Sequence, residues 1–211
     1  MTRPRPRLVI AAVLVAVLLA TGGFLLGRLT ASGPAPAPAS ESAAAGFLRD
    51  MQVHHAQAVD MAMTIRDRSD DPDLRRLAYD IAIGQSNQAG QMYGLLEAWR
   101  LSQASSLPPM TWMSQPVIDG SDGGHGAMTG VDGMPGMATP EQLAALKAAN
   151  GEDAERLFLT VMIAHHRGGL DMAEAVLART RVPEVVSMAN GILASQTADI
   201  DAMQSMLDAL G

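Results

Sequence analysis

Residues 47–62 read FLRDMQVHHAQAVDMA, and residues 158–173 read FLTVMIAHHRGGLDMA. The two are one motif written twice. Shifted by 111 residues, 47–96 aligns with 158–207 without a gap, and fifteen of the fifty positions are identical. The matches include Met51/Met162, His54/His165, His55/His166, Met61/Met172, Arg68/Arg179, Pro72/Pro183, Gln85/Gln196 and Met92/Met203. A gapless self-match of that length marks an internal repeat, so the soluble part of the chain is built from two copies of one unit.

Each copy reads as a helical hairpin. Ala, Leu, Met, Gln and Arg dominate, and no strand-like alternation occurs. The first copy predicts helices over about 41–68 and 72–101, with Asp71 as N-cap and Pro72 at the first helical position. The second predicts helices over about 152–180 and 183–210, with Pro183 in the matching place. Thr139-Pro140-Glu141-Gln142 is a capping-box pattern for a short helix over about 140–149, closed by Gly151. Two duplicated hairpins imply an all-α four-helix bundle with pseudo-two-fold symmetry, repeat 1 spanning about 41–101 and repeat 2 about 152–211 of a 41–211 domain. Between them, 102–138 is rich in Gly, Pro, Ser and Met and too long for a plain connection.

Upstream, Leu8 to Gly27 (LVIAAVLVAVLLATGGFLLG) is uncharged and long enough to cross a bilayer as a helix. Arg3, Arg5 and Arg7 precede it and Arg28 follows. This charge bias keeps 1–7 cytoplasmic, makes 8–29 a transmembrane signal-anchor and exports the rest. A cleaved signal peptide is the competing reading; its apolar core is usually shorter and no clean cleavage site follows. Residues 30–40 form a Pro/Ala linker suited to extended polyproline II.

Composition narrows the function. The 211 residues carry a net charge of −7 and no basic patch, which argues against nucleic acid as a partner. With no cysteine, thiolate metal sites, disulfides and cysteine nucleophiles are excluded. No Ser-His-Asp grouping or phosphate loop is visible. The excess is methionine, 15 residues, beside four histidines in two adjacent pairs.

At helical spacing, Met51, His54, His55 and Met61 fall within a sector of about 120°, the width of a core-facing stripe. Met162, His165, His166 and Met172 repeat that stripe, and Gln85, Met92, Gln196 and Met203 supply the facing helices. Asp60 falls on the opposite, solvent side. Imidazole with thioether and no carboxylate suits copper, sulfur for Cu(I) and imidazole for either oxidation state. The Glu-x-x-His motif of di-iron bundles is absent; Met51-x-x-His54 and Met162-x-x-His165 stand in its place. Core filling by methionine is the bland alternative, though it leaves four titratable rings in an apolar stripe unexplained. Metal affinity carried by such rings is expected to fall as pH drops through about 6.5. A second cluster, Met110, Met113, His125, Met128, Met134 and Met137, reads either as a transient metal site in a flexible loop or as methionines folded back on the bundle. Trp112 is a packing anchor in both readings.

On the Met-x-x-His-His…Met-Ala motifs, the Gln…Met helices and Met134-Pro135-Gly136-Met137, the chain resembles the bacterial family known as domain of unknown function 305. The resemblance covers roughly 45–210 and implies a ferritin-like bundle, with copper held by His54, His55, His165, His166 and nearby methionines. It departs where the family often has an acid three residues after the glutamine, which is Gln88 in the first copy and Asp199 in the second. Ala56-Gln57-Ala58 also stands where the second copy has the family's glycine run, Gly168-Gly169. Three functions follow: a membrane-tethered extracytoplasmic copper-binding protein without turnover, a copper or iron oxidase, or a metal-free interaction module sensing pH.

Overall fold

The computed structural model describes residues 6–30, 36–120 and 133–211. Among them are six α-helices, one 3-10 turn and no strand: α1 (Pro6–Thr30), α2 (Ala43–Arg66), α3 (Pro72–Ala98), the 3-10 turn (Thr111–Ser114), α4 (Pro140–Ala148), α5 (Gly151–Leu177) and α6 (Pro183–Ala209). The chain divides into two units, Met1–Ala37 and Pro38–Gly211.

The first unit holds α1. Its described apolar side chains, among them Ile10, Leu14, Leu18, Phe24 and Leu26, are each more than half exposed. Among the described residues no helix is long and apolar enough to cross a membrane. The expected transmembrane helix is therefore not supported by the structure.

In the second unit the helix boundaries follow local chemistry. Ser42 caps α2 by accepting the Ala45 N–H. Asp71 Oδ1 accepts from the N–H groups of Asp73 and Leu74, with Pro72 at the first turn of α3. The capping box at α4 forms in full, Thr139 accepting from Gln142 N–H and Gln142 Oε1 from Thr139 N–H. One expectation is corrected: α4 ends at Ala148 with Ala149 as its C-cap, and Gly151 opens α5 instead of closing α4. Gly151 takes φ +55°, which glycine adopts without steric cost, and its N–H donates to Arg68 O at the far hairpin turn.

The hairpins α2/α3 and α5/α6 meet chiefly along α2 and α5. The contact is antiparallel in effect. The first half of α2 (Phe47, Leu48, Met51) shares one apolar cluster with the second half of α5 (Met172, Ala173, Val176). The second half of α2 (Met61, Ala62, Ile65) shares the other with the first half of α5 (Phe158, Leu159, Met162). Exchanging the two copies exchanges the two clusters, which is the pseudo-two-fold relation the repeat implies.

The repeated arginines anchor the connecting segment. Arg68 donates to Ala149 O and Asn150 Oδ1, and Arg179 donates to Gln115 O and Ala175 O. Trp112 meets the Phe47 ring edge-to-face at 5.8 Å and donates its indole N–H to buried Asp50. Gly46 makes room for it, since a Cβ there would sit 2.7 Å from the indole. The connection is thus partly core rather than a free loop: Met110, Met113 and Met134 are buried, and Met137 packs against the same cluster. His125 and Met128 lie outside the described residues.

Candidate metal centre

Between the two apolar clusters lies a polar layer. His54 and His55 from α2, His165 and His166 from α5, Gln85 from α3 and Gln196 from α6 are all buried there. Each of the four histidines is fully shielded from solvent. The helical spacing explains the placement: the adjacent histidines lie about 100° apart around their helix, so both point inward at the level where α2 and α5 cross. His54 and His165 face each other across that crossing, with ring centroids 3.8 Å apart. The neighbouring rings, His54/His55 and His165/His166, are 6.5 and 6.3 Å apart.

Few of the layer's polar atoms are paired. His54 Nε2 lies 3.0 Å from Pro135 O, and His55 Nε2 lies 2.8 Å from Gln88 Oε1. His166 Nε2 lies 3.3 Å from Asp199 Oδ2 and 3.5 Å from Gln85 Nε2. The Nδ1 atoms of all four histidines have no partner, nor has His165 Nε2. Gln85 Oε1 and both amide atoms of Gln196 are likewise buried and unpaired. Native interiors rarely leave such groups orphaned, each at a cost of about 1–3 kcal/mol, and a cluster of them points to a ligand.

Burial also sets the charge of the rings. It pushes His54 down to about 4, against a smaller opposing effect of the Pro135 contact, and His55 down to about 3. His165 is driven well below its ordinary value by burial and then by the neighbouring rings. These three rings are neutral at pH 7 and keep a lone pair for a cation. Proton competition for His54 and His55 therefore sets in near pH 4 and 3, not near the 6.5 expected from an exposed imidazole, and for His165 it too is displaced to lower pH.

The methionines flank the layer. Met51, Met92 and Met172 are fully buried in one cluster, Met61, Met162 and Met203 in the other. Met51 and Met162 lie three residues before His54 and His165, on the same helix face. Asp60 is exposed as expected and pairs with Lys147, and its repeat mate Asp171 is exposed too. Among the described residues no group of three or more His, Asp or Glu side chains is arranged as a metal site. A metal here would have to draw on imidazole and thioether rather than on carboxylate.

One strand of backbone completes the layer and was not legible beforehand. The segment Met134–Ala138 crosses α5 and α2 together. At Gly168 a Cβ would overlap the Pro135 carbonyl, and at Gly136, φ +73°, it would overlap the Ala164 carbonyl. Gln57, at the position equivalent to Gly168, instead clamps Ala138, donating to its carbonyl and accepting its N–H. The two copies thus differ because a single strap crosses both: one helix must yield space and the other must hold. A backbone carbonyl as partner to His54 leaves no trace in residue identity, although the glycine pair hinted at a close approach.

Residues 44–207 match the family model described as Domain of unknown function (DUF305). The chain belongs to the DUF305 family. A solved DUF305 protein from Streptomyces coelicolor, described as secreted, is 44% identical with a TM-score of 0.72, covering 82% of this chain and 96% of that one. CopM in its Cu(II)-bound form is 26% identical with a TM-score of 0.57, covering 81% of this DUF305 chain and 98% of that one. An uncharacterised protein of Acanthamoeba polyphaga mimivirus is 36% identical over 55 residues; this chain spans 36% of that relative's length.

Proposed function

We propose that this DUF305 protein is a membrane-anchored, extracytoplasmic copper-binding protein that buffers the metal or hands it on without turnover. The observation that carries the reading is the buried layer of four imidazoles with four unpartnered Nδ1 atoms, set between two methionine-bearing clusters. Burying so many unpaired polar atoms destabilises the metal-free fold, and a bound cation would offset that cost. Neutral imidazole and thioether form a soft to borderline donor set, which favours copper over iron, magnesium or calcium.

His54, His55, His165 and His166 would hold the ion, with Met51, Met61, Met162, Met172, Met92 and Met203 as the adjoining sulfur donors. Copper is cargo here, in either oxidation state, with thioethers favouring Cu(I) and imidazoles retaining Cu(II). Met110, Met113 and Met134, buried in the core, and Met137, packed against it, would serve at most as secondary sulfur donors. The Cu(II)-bound state of CopM, a relative of the same fold at 26% identity, supports the metal assignment. A secreted relative at 44% identity supports export. The anchor rests on the uncharged stretch Leu8–Gly27 and on the arginines before it.

The test is a copper titration at pH 7.5 of the wild-type protein and of a variant with His54, His55, His165 and His166 replaced by alanine, both checked for helicity. The variant should lose Cu(II) uptake and keep at most weak Cu(I) capture. Equal uptake by both would reduce the layer to core packing.

A further inference from the structure

The second histidine of each pair has its outer nitrogen engaged by the same position of the facing helix. Gln88 and Asp199 are related by the 111-residue shift. Gln88 Oε1 faces His55 Nε2 at 2.8 Å, and Asp199 Oδ2 faces His166 Nε2 at 3.3 Å. Both partner atoms accept hydrogen bonds, so each Nε2 must carry the hydrogen. A neutral imidazole has one N–H and one lone pair, and the lone pair is then on Nδ1. In both rings Nδ1 is the buried, unpartnered atom. His54 obeys the same rule, its Nε2 donating to the Pro135 carbonyl.

We infer that Gln88 and Asp199 are positioning residues that set the tautomers of His55 and His166, making Nδ1 the atom each ring offers to a metal, and that His166, backed by Asp199, is the stronger Cu(II) donor of the two. The ligand role rests on the copper reading above; the tautomers do not. Gln85 competes for His166, since its amide Nε2 lies 3.5 Å from the ring nitrogen that Asp199 engages. One nitrogen cannot donate to Asp199 and accept from Gln85 at once, and the charged acceptor takes precedence. Asp199 therefore decides which way the ring is protonated. Its carboxylate also makes the imidazole a more basic donor and adds a negative charge beside a divalent ion, which the Gln88 amide does not. The two halves, alike in their histidines, differ in the groups behind them.

Tautomers are read on the metal-free protein at pH 8 from long-range proton–nitrogen correlations of nitrogen-15-labelled histidine. His55 and His166 should both be Nε2–H. In Asp199→Ala, the Gln85 amide should donate to Nε2 and move His166 to Nδ1–H, and Cu(II) affinity should fall about 10–100-fold. Gln88→Ala should weaken Cu(II) binding less. Asp199→Leu, which roughly keeps the size and removes the acceptor, should shift the same ring in the same sense if the alanine variant does not fold, whereas Asp199→Asn, which keeps an amide acceptor as Gln88 does, should leave His166 Nε2–H. Nδ1–H rings in a copper-binding wild type, or a His166 tautomer indifferent to Asp199, would overturn this inference alone. Nε2–H rings in a protein that takes up no copper would overturn the copper reading and with it the ligand role.

Discussion

The imidazoles of His54 and His165 stack across the α2–α5 crossing with centroids 3.8 Å apart and planes tilted by 34°. They are the same residue of two copies, 111 positions apart, so the pseudo-two-fold axis passes between them. A residue meeting its own repeat mate is held by both copies at once. That is why one motif, written twice, builds a single layer rather than two distant sites.

His165 has neither ring nitrogen paired, and this destabilises the metal-free fold. Replacing it with leucine removes two buried orphan atoms at similar volume. The metal-free His165→Leu protein should be more stable by about 1 kcal/mol in urea denaturation while binding copper more weakly. Lower stability together with unchanged copper binding would contradict the assignment.

The strap over the layer depends on Gly168. A methyl group there would overlap the Pro135 carbonyl, so Gly168→Ala must lift the strap and break the His54 contact, at about 1–3 kcal/mol. Gly90, exposed in α3 with open space around it, is the control, and Gly90→Ala should add about 0.5–1 kcal/mol. Urea midpoints moving in opposite directions check both.

Acid should destabilise the metal-free protein well before carboxylates titrate. His54 and His55 have folded values of about 4 and about 3 against 6.5 unfolded, so below pH 6.5 the unfolded chain binds more protons. Stability is full above that point and falls by up to about 1.4 kcal/mol per pH unit per ring as pH drops toward 4. His165 acts in the same direction, and Asp50, pushed up by burial, acts against it. Urea midpoints at pH 7.5, 6 and 5 should decline in order; a flat series would show that the rings are not buried neutral.

Asp50 accepts from Met110 N–H at 2.6 Å and from the Trp112 indole N–H at 2.9 Å, holding the connection onto α2. Asp50→Ala leaves two buried donors unpaired, at about 1–3 kcal/mol each. Tryptophan emission should shift to the red as Trp112 loosens. An unshifted spectrum with unchanged stability would mean that aromatic packing on Phe47 suffices.

Alkaline phosphatase fused after Gly211 should be active in whole cells, because its disulfides form only outside the cytoplasm. A silent phosphatase beside an active cytoplasmic reporter at the same point would reverse the orientation.

Much of this protein was written locally. The duplication, the hairpins, the caps at Asp71 and Thr139 and the inward face of His54, His55, His165 and His166 follow from self-similarity, helical period and short-range hydrogen bonding. Those properties depend on residues within a few turns of each other, so residue order is enough to read them. The tertiary structure decided what depends on distant neighbours. It folded Met110, Met113 and Met134 into the core instead of leaving them in a loose loop. It laid the Pro135 carbonyl against His54 across 81 residues of sequence. Burial, which no spacing rule measures, moved the proton competition at His54 and His55 from the expected pH 6.5 to about 4 and 3. The unlike partners of like rings, Gln88 and Asp199, were visible as letters, but only the packing of α3 on α2 and of α6 on α5 placed each against its histidine.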